Sequence, residues 1–107
     1  MNPSLRKYIG SSIDSWAIEY RVHATQRMFN RRIAEKDVLL LLEEGNIIEE
    51  YQGDFPFPSV LINGSAKDRP LHAVVGIDAD SRRLYLITIY EPDSKKWSQN
   101  YSKRIPS

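Results

Sequence analysis

His23, Arg27 and Arg31 stand at i, i+4 and i+8, so on a helix they form one ridge. An imidazole near its ordinary pKa of about 6.5 can give or take a proton. A guanidinium holds phosphate oxygens through a bidentate fork. These groups suit metal-free cleavage of a phosphodiester. RNA brings its own nucleophile, the 2′-hydroxyl; the protein must supply a base, an acid and cations for the charge that builds on phosphorus. The second imidazole, His72, lies in the apolar segment 71–78, and Thr88 and Tyr90 lie in the next such segment, 84–90. In this scheme His23 is the general base or acid and His72 the second proton-transfer group. Arg27 and Arg31 bind phosphates, Tyr90 orients or stabilises, and Trp97 or Tyr101 stacks a base.

Each residue also has a plainer role. His23 fits a capping or hydrogen-bonded structural position, and His72 fits a satisfied imidazole in a core. Arg27 and Arg31 can pair with Glu19 or Glu35 as surface ion pairs of little worth. Thr88 and Tyr90 are ordinary strand formers. Whether His72 shares a face with Thr88 and Tyr90 depends on the hairpin loop, because a slip of one residue exchanges faces.

Other chemistries fit less well. The chain has no cysteine, which removes disulfides, thiolate nucleophiles and Cys-based zinc sites. Its two histidines exclude a three-histidine metal site, and no H-E-x-x-H spacing exists. The acids of Glu43-Glu44 and Glu49-Glu50 are adjacent, so they point apart in regular structure. No G-x-S-x-G elbow is present. The expected mechanism needs no metal and no cofactor.

The charge distribution matters more than its sum. The chain carries 15 Lys+Arg and 14 Asp+Glu, net +1, which by itself leaves no basic footprint for nucleic acid. Yet residues 20–33 hold Arg21, Arg27, Arg31 and Arg32 without an acid, and 94–107 hold Lys95, Lys96, Lys103 and Arg104 without an acid. Residues 43–54 hold five acids and no base: Glu43, Glu44, Glu49, Glu50 and Asp54. A fold that sets the two basic segments side by side makes a phosphate-binding surface. Charge runs with no partner are the plainer alternative.

The positioning elements follow from periodicity. At 107 residues the chain suits one domain with one core, and 41% hydrophobic residues with 27% charged ones mark it as globular. Leu5, Tyr8, Ile9, Ile13 and Trp16 predict a short amphipathic helix weakened by Gly10-Ser11-Ser12. A second helix is predicted from about Arg21 to Arg31, with Val22, Thr25, Phe29 and Ile33 on the side opposite the ridge. A third spans Glu35 to Glu44, with Val38, Leu41 and Leu42 inward and Gly45 as its stop. Ala34 stands at its N-cap, where it offers no side-chain acceptor.

Strands are predicted at 46–51, 59–63, 71–78 and 84–90. Phe55-Pro56-Phe57-Pro58 reads as a connection or an edge, 64–70 as a polar loop, and Asp78–Ser81 as an antiparallel hairpin turn. The segments 71–78 and 84–90 should be central. The fold class is α+β: N-terminal helices packed on one face of an antiparallel sheet of about four strands. Residues 1–20 lack the apolar region of a secretory signal, and no apolar run approaches the roughly eighteen residues of a membrane span. A cytoplasmic location and no membrane partner are the expectation.

Six short strings, in order, resemble the small prokaryotic domain-of-unknown-function family 4258. They are HATQRMFNRRI at 23–33, DV at 37–38, G-x-I-I-E-x-Y at 45–51, P-S-x-L-I-x-G at 58–64, R-P-L-H-x-V-V at 69–75 and I-T-x-Y-x-P-D at 87–93. The resemblance covers about residues 20–93 as a core. It leaves 1–19 as a helical extension and 94–107 as a basic tail of one 1–107 domain. That family is similar to the RelE/ParE-type toxins and to metal-independent ribonucleases with two helices on an antiparallel sheet. The resemblance implies a RelE-like fold, RNA as substrate, and a zinc-finger or DNA-binding antitoxin as partner. Carried over position by position, its polar residues are His23, Arg27, Arg31 or Arg32, His72, Thr88 and Tyr90. The function expected is a ribonuclease-like toxin. The alternative is a non-catalytic module that uses the same basic helix face for RNA or a protein, including one that only docks an acidic antitoxin segment.

Overall fold

The first predicted helix breaks where its small residues fall. In this computed structural model, which describes residues 3–98 and 100–106, helix α1 covers only Leu5–Ile9. Gly10 ends it in the left-handed region at φ 77°, which a side chain would resist. A single 3-10 turn follows at Ile13–Ser15, and then an unpredicted strand, β1, Ala17–Tyr20. Met1, Asn2, Gln99 and Ser107, parts of the expected extension and tail, lie outside the described residues.

Helix α2 spans Val22–Arg31, close to expectation, and stops at Arg32, which takes a left-handed conformation. Its inward face differs from the helical-wheel assignment. Val22 and Phe29 are 75% and 85% exposed, while Ala24 is buried and Met28 packs against the core. Alanine lets the helix backbone come close to the sheet; the bulkier Phe29, five residues on, points about 140° away round the cylinder. Helix α3, Glu35–Glu44, buries Val38, Leu41 and Leu42 as expected. Its missing N-cap acceptor is partly replaced, because Asp37 accepts a hydrogen bond from the Ala34 amide at 2.9 Å.

The remaining strands are β2, Asn46–Tyr51; β3, Ser59–Ala66; β4, Arg69–Asp78; and β5, Arg83–Tyr90. They form one five-stranded sheet in the order β1-β5-β4-β3-β2, so the expectation of four strands is corrected to five. The sheet is also mixed, since β1 runs parallel to β5 while the other pairs are antiparallel. The expected loop at 64–70 is mostly strand. β3 and β4 meet in a two-residue turn at Lys67-Asp68, both at positive φ, the geometry that matches strand twist.

Alternation along β4 separates two faces. Leu71, Ala73, Val75 and Ile77 join Leu84, Leu86 and Ile89 of β5 in one core with Ala24, Ile33, Val38, Leu41 and Leu42. The helices therefore cover one face, as predicted. The other face carries His72, Val74 and Gly76, opposite Tyr90, Thr88 and Tyr85. Among the described residues no helix is long and apolar enough to cross a membrane.

Candidate functional site

The second face of the sheet is divided between a sealed half and an open half. In the sealed half His72 has no exposed surface. The register pairs it directly with Tyr90, and the intervening Val74 with Thr88, so all three lie on one face. His72 Nε2 lies 2.8 Å from the Tyr101 carbonyl, and Nδ1 lies 3.2 Å from the Tyr90 hydroxyl. A carbonyl only accepts, so Nε2 carries the proton and the Tyr90 hydroxyl donates to Nδ1. Burial pushes the His72 pKa below its ordinary value, against the opposing pull of the Tyr101 carbonyl and Glu49. Burial likewise raises the Tyr90 phenol.

The seal is the C-terminal segment. Trp97 is 5% exposed and sets its ring edge-on to His72, centroids 4.5 Å apart. Arg104 lies 4.7 Å over the Trp97 ring and reaches both Glu49 oxygens, at 2.8 and 3.0 Å. That forked pair, ahead of burial, holds the Glu49 carboxyl below its ordinary range. Tyr51 donates to the same carboxylate; its burial first, and this bond second, push its pKa up to about 12.

The open half lies along α2. Its ridge emerges as expected, with His23 and Arg31 exposed and Arg27 half-buried, but it serves two cavities. His23 lines one of about 490 Å³ with Arg21, Asp54, Phe57, Gly76 and Tyr85. Arg27 and Arg31 line a second of about 330 Å³ with Tyr90, Lys96, Trp97 and Arg104. In the first, Arg21 lies 4.5 Å over the Tyr85 ring and Phe57 stacks on the same ring at 5.4 Å, nearly parallel to it. Among the described residues Arg27 and Arg31 make no ion pair; Glu19 pairs instead with Arg21 and Arg83. The second cavity also holds Glu91 and Asp93. Glu91 faces Arg69 at 3.4 Å, and Asp93 accepts from the Lys95 amide.

The predicted residues therefore divide into groups. Arg27, Arg31, Tyr90 and Trp97 come together. His23 sits in the neighbouring cavity, and His72 lines neither. Trp97 is covered on one face by Arg104 and meets His72 with its edge, which leaves little ring for a stacked base. Thr88 and Arg32 line neither cavity. The Arg32 carbonyl, with that of Arg31, instead accepts from Arg69, which closes the end of α2. Sequence reasoning missed Arg21, Asp54, Phe57, Gly76 and Tyr85. One signal was present: a glycine interrupting the apolar strand L-H-A-V-V-G-I-D marks a close approach or an opening. Among the described residues no cluster of His, Asp and Glu is placed to hold a metal ion.

The family described as Domain of unknown function (DUF4258) matches residues 20–91, from the last residue of β1 to just past β5. No curated protein and no solved structure matches the chain. Trp97, Tyr101 and Arg104, which seal His72, lie outside the matched span.

Proposed function

The chain belongs to the DUF4258 family, and on that premise we propose that it is an RNA-binding module whose α2 ridge holds the phosphates of a single strand. One observation carries this reading. The two basic segments, 70 residues apart in places, converge: Arg27 and Arg31 from the first line the same cleft as Lys96 and Arg104 from the last. Arg104 is occupied by Glu49, which leaves Arg27, Arg31 and Lys96 as the cations for phosphate. Guanidinium groups beside a sheet face with aromatic side chains are the usual combination for single strands.

A ribonuclease of the RelE type is the second reading. It is supported by the first cavity, where an imidazole (His23), a carboxylate (Asp54) and a guanidinium (Arg21) share one opening. His72 would contribute to such a reaction only after the tail lifts.

Incubating the protein with labelled RNA in EDTA tests both. The binding reading expects complexes that weaken linearly on a log–log salt plot, and a slope reduced by about one for each of Arg27→Ala and Arg31→Ala. Unchanged affinity in the double variant overturns it. Products that accumulate in EDTA and vanish in His23→Ala establish the second reading.

A further inference from the structure

We propose that the cavity between α2, the 54–57 segment and the β4–β5 pair is a guanine-binding subsite; this rests on the RNA-binding reading and names the base that the module selects. The cavity is about 490 Å³, within the roughly 300–1,000 Å³ of small-ligand sites. Its walls are mostly flat and apolar: Phe57 and Tyr85 are stacked, and Phe55 at the mouth is 94% exposed. Phe57 and Arg21 already cover the Tyr85 ring, so the ring on which a base can lie is that of Phe55.

The floor is open because Gly76 has no side chain. It pairs directly with Tyr85 on the face that the cavity occupies. A Cβ there would meet Ile87 and Tyr85 at ordinary distances of 3.5 and 3.6 Å, so packing does not require glycine at this position. A glycine in a central strand loses side-chain contacts and entropy without return unless something else approaches.

The polar groups select the base. Guanine presents O6 and N7 acceptors on one edge and N1–H and N2–H donors on another. A guanidinium pairs with the first and a carboxylate with the second. Arg21 and Asp54 both line the cavity. Ser59 donates to one Asp54 oxygen, which steadies the carboxylate and leaves the other oxygen to accept. Adenine offers an acceptor where Asp54 needs a donor, and pyrimidines give less stacking surface. His23 of this cavity and Arg27 and Arg31 of the second stand at i, i+4 and i+8 on one face of α2, so a strand with its base here can lay its neighbouring phosphates on the ridge.

The test uses fluorescence anisotropy of the full chain with labelled oligouridine, and with the same RNA carrying one central guanosine or adenosine. A nuclear magnetic resonance titration with guanosine 3′-monophosphate runs beside it. The guanosine RNA should bind about ten-fold tighter than either of the others. Asp54→Asn and Gly76→Leu should each bring the guanosine RNA down to the affinity the same variant has for oligouridine, while Gly76→Ala keeps the preference. If Gly76→Leu fails to fold by circular dichroism, Asp54→Asn decides. Equal binding of the three RNAs overturns the subsite and leaves the RNA reading standing. Guanosine monophosphate that shifts Tyr85 resonances while no RNA binds overturns the RNA reading, and makes the subsite one for a free nucleotide. Preference retained in Asp54→Asn overturns the proposal.

Discussion

Replacing Trp97 by alanine should unfasten the tail and return His72 to water. The indole is almost wholly buried, yet it stands outside the helix-side core, held by His72 below and Arg104 above. A buried tryptophan removes roughly 150–250 Å² from water. At about 25 cal/mol per Å², that is about 4–6 kcal/mol as an upper estimate. The tail can detach and regain chain entropy, so part of this is recovered, and a loss of about 3 kcal/mol is the working figure. The Arg104–Glu49 pair is exposed on the arginine side and adds at most about 1 kcal/mol to the consequence. Urea unfolding followed by circular dichroism measures the loss. The second readout is specific: the His72 pKa should rise toward the ordinary imidazole range once the desolvation that lowers it is gone, as followed by imidazole proton resonances. A His72 pKa that stays depressed in Trp97→Ala would show that something other than the indole buries it. A stability change under about 1 kcal/mol would show that the tail is not docked.

Acid should loosen the same contact in two steps. The His72 pKa is lower in the folded chain than in the unfolded one, so its contribution is complete above the ordinary imidazole value, 6.5, and is lost as pH falls through the folded value. The Glu49 pKa is also lowered, so its contribution is present above 4.5 and lost as pH falls through its own folded value. Unfolding free energy measured from neutral pH downward should fall first in the imidazole range and again in the carboxylate range; a His72→Gln variant that keeps the first fall refutes the assignment. Gly45→Ala should destabilise by about 2 kcal/mol in thermal unfolding, because its Cβ would sit 2.6 Å from both Ile62 Cγ2 and the Leu41 carbonyl. An unchanged melting temperature would mean that β3 can move away from the α3 terminus.

Local pattern located the elements that carry their own signals and missed those specified at long range. The helix at 35–44 has apolar spacing, acids in its first turn and a glycine after its last, and it forms as expected. Strand β1 is four residues whose sheet partner, β5, lies more than sixty positions away. Nothing near Ala17–Tyr20 distinguishes it from the end of a helical pattern that already ran through Ile13 and Trp16. The β3–β4 turn falls inside the expected loop at 64–70, but the strands take up most of that loop. Asn63-Gly64 carries the composition of a hairpin turn, but Gly64 is needed in mid-strand, where Leu41 Cδ1 and Gly45 approach to 2.7 and 3.2 Å of a Cβ position. The real turn at Lys67-Asp68 adopts positive φ without glycine, held by the long ladder on either side.

The site shows the same division. A ridge at i, i+4, i+8 is a local property, and it survives as a line of one imidazole and two guanidinium groups, the middle one half-buried. What that line faces is set by the tail and by the loop at 54–57, which periodicity cannot place. The net charge of +1 conceals the consequence. The acidic segment does not simply offset the basic ones across the surface. One of its members, Glu49, takes up Arg104 directly, and that pair fixes Trp97 over His72. An acid–base contact between segments some fifty residues apart thus removes one imidazole from the surface and leaves the other beside the arginines. If phosphate binding depends on the cations left unpaired, Arg27 and Arg31 should govern affinity, and Arg104, equal to them in charge, should govern stability instead. Substituting each by alanine and measuring RNA affinity beside unfolding free energy separates the two roles. Arg104→Ala should leave the salt slope unchanged and weaken the fold, whereas Arg27→Ala and Arg31→Ala should do the reverse.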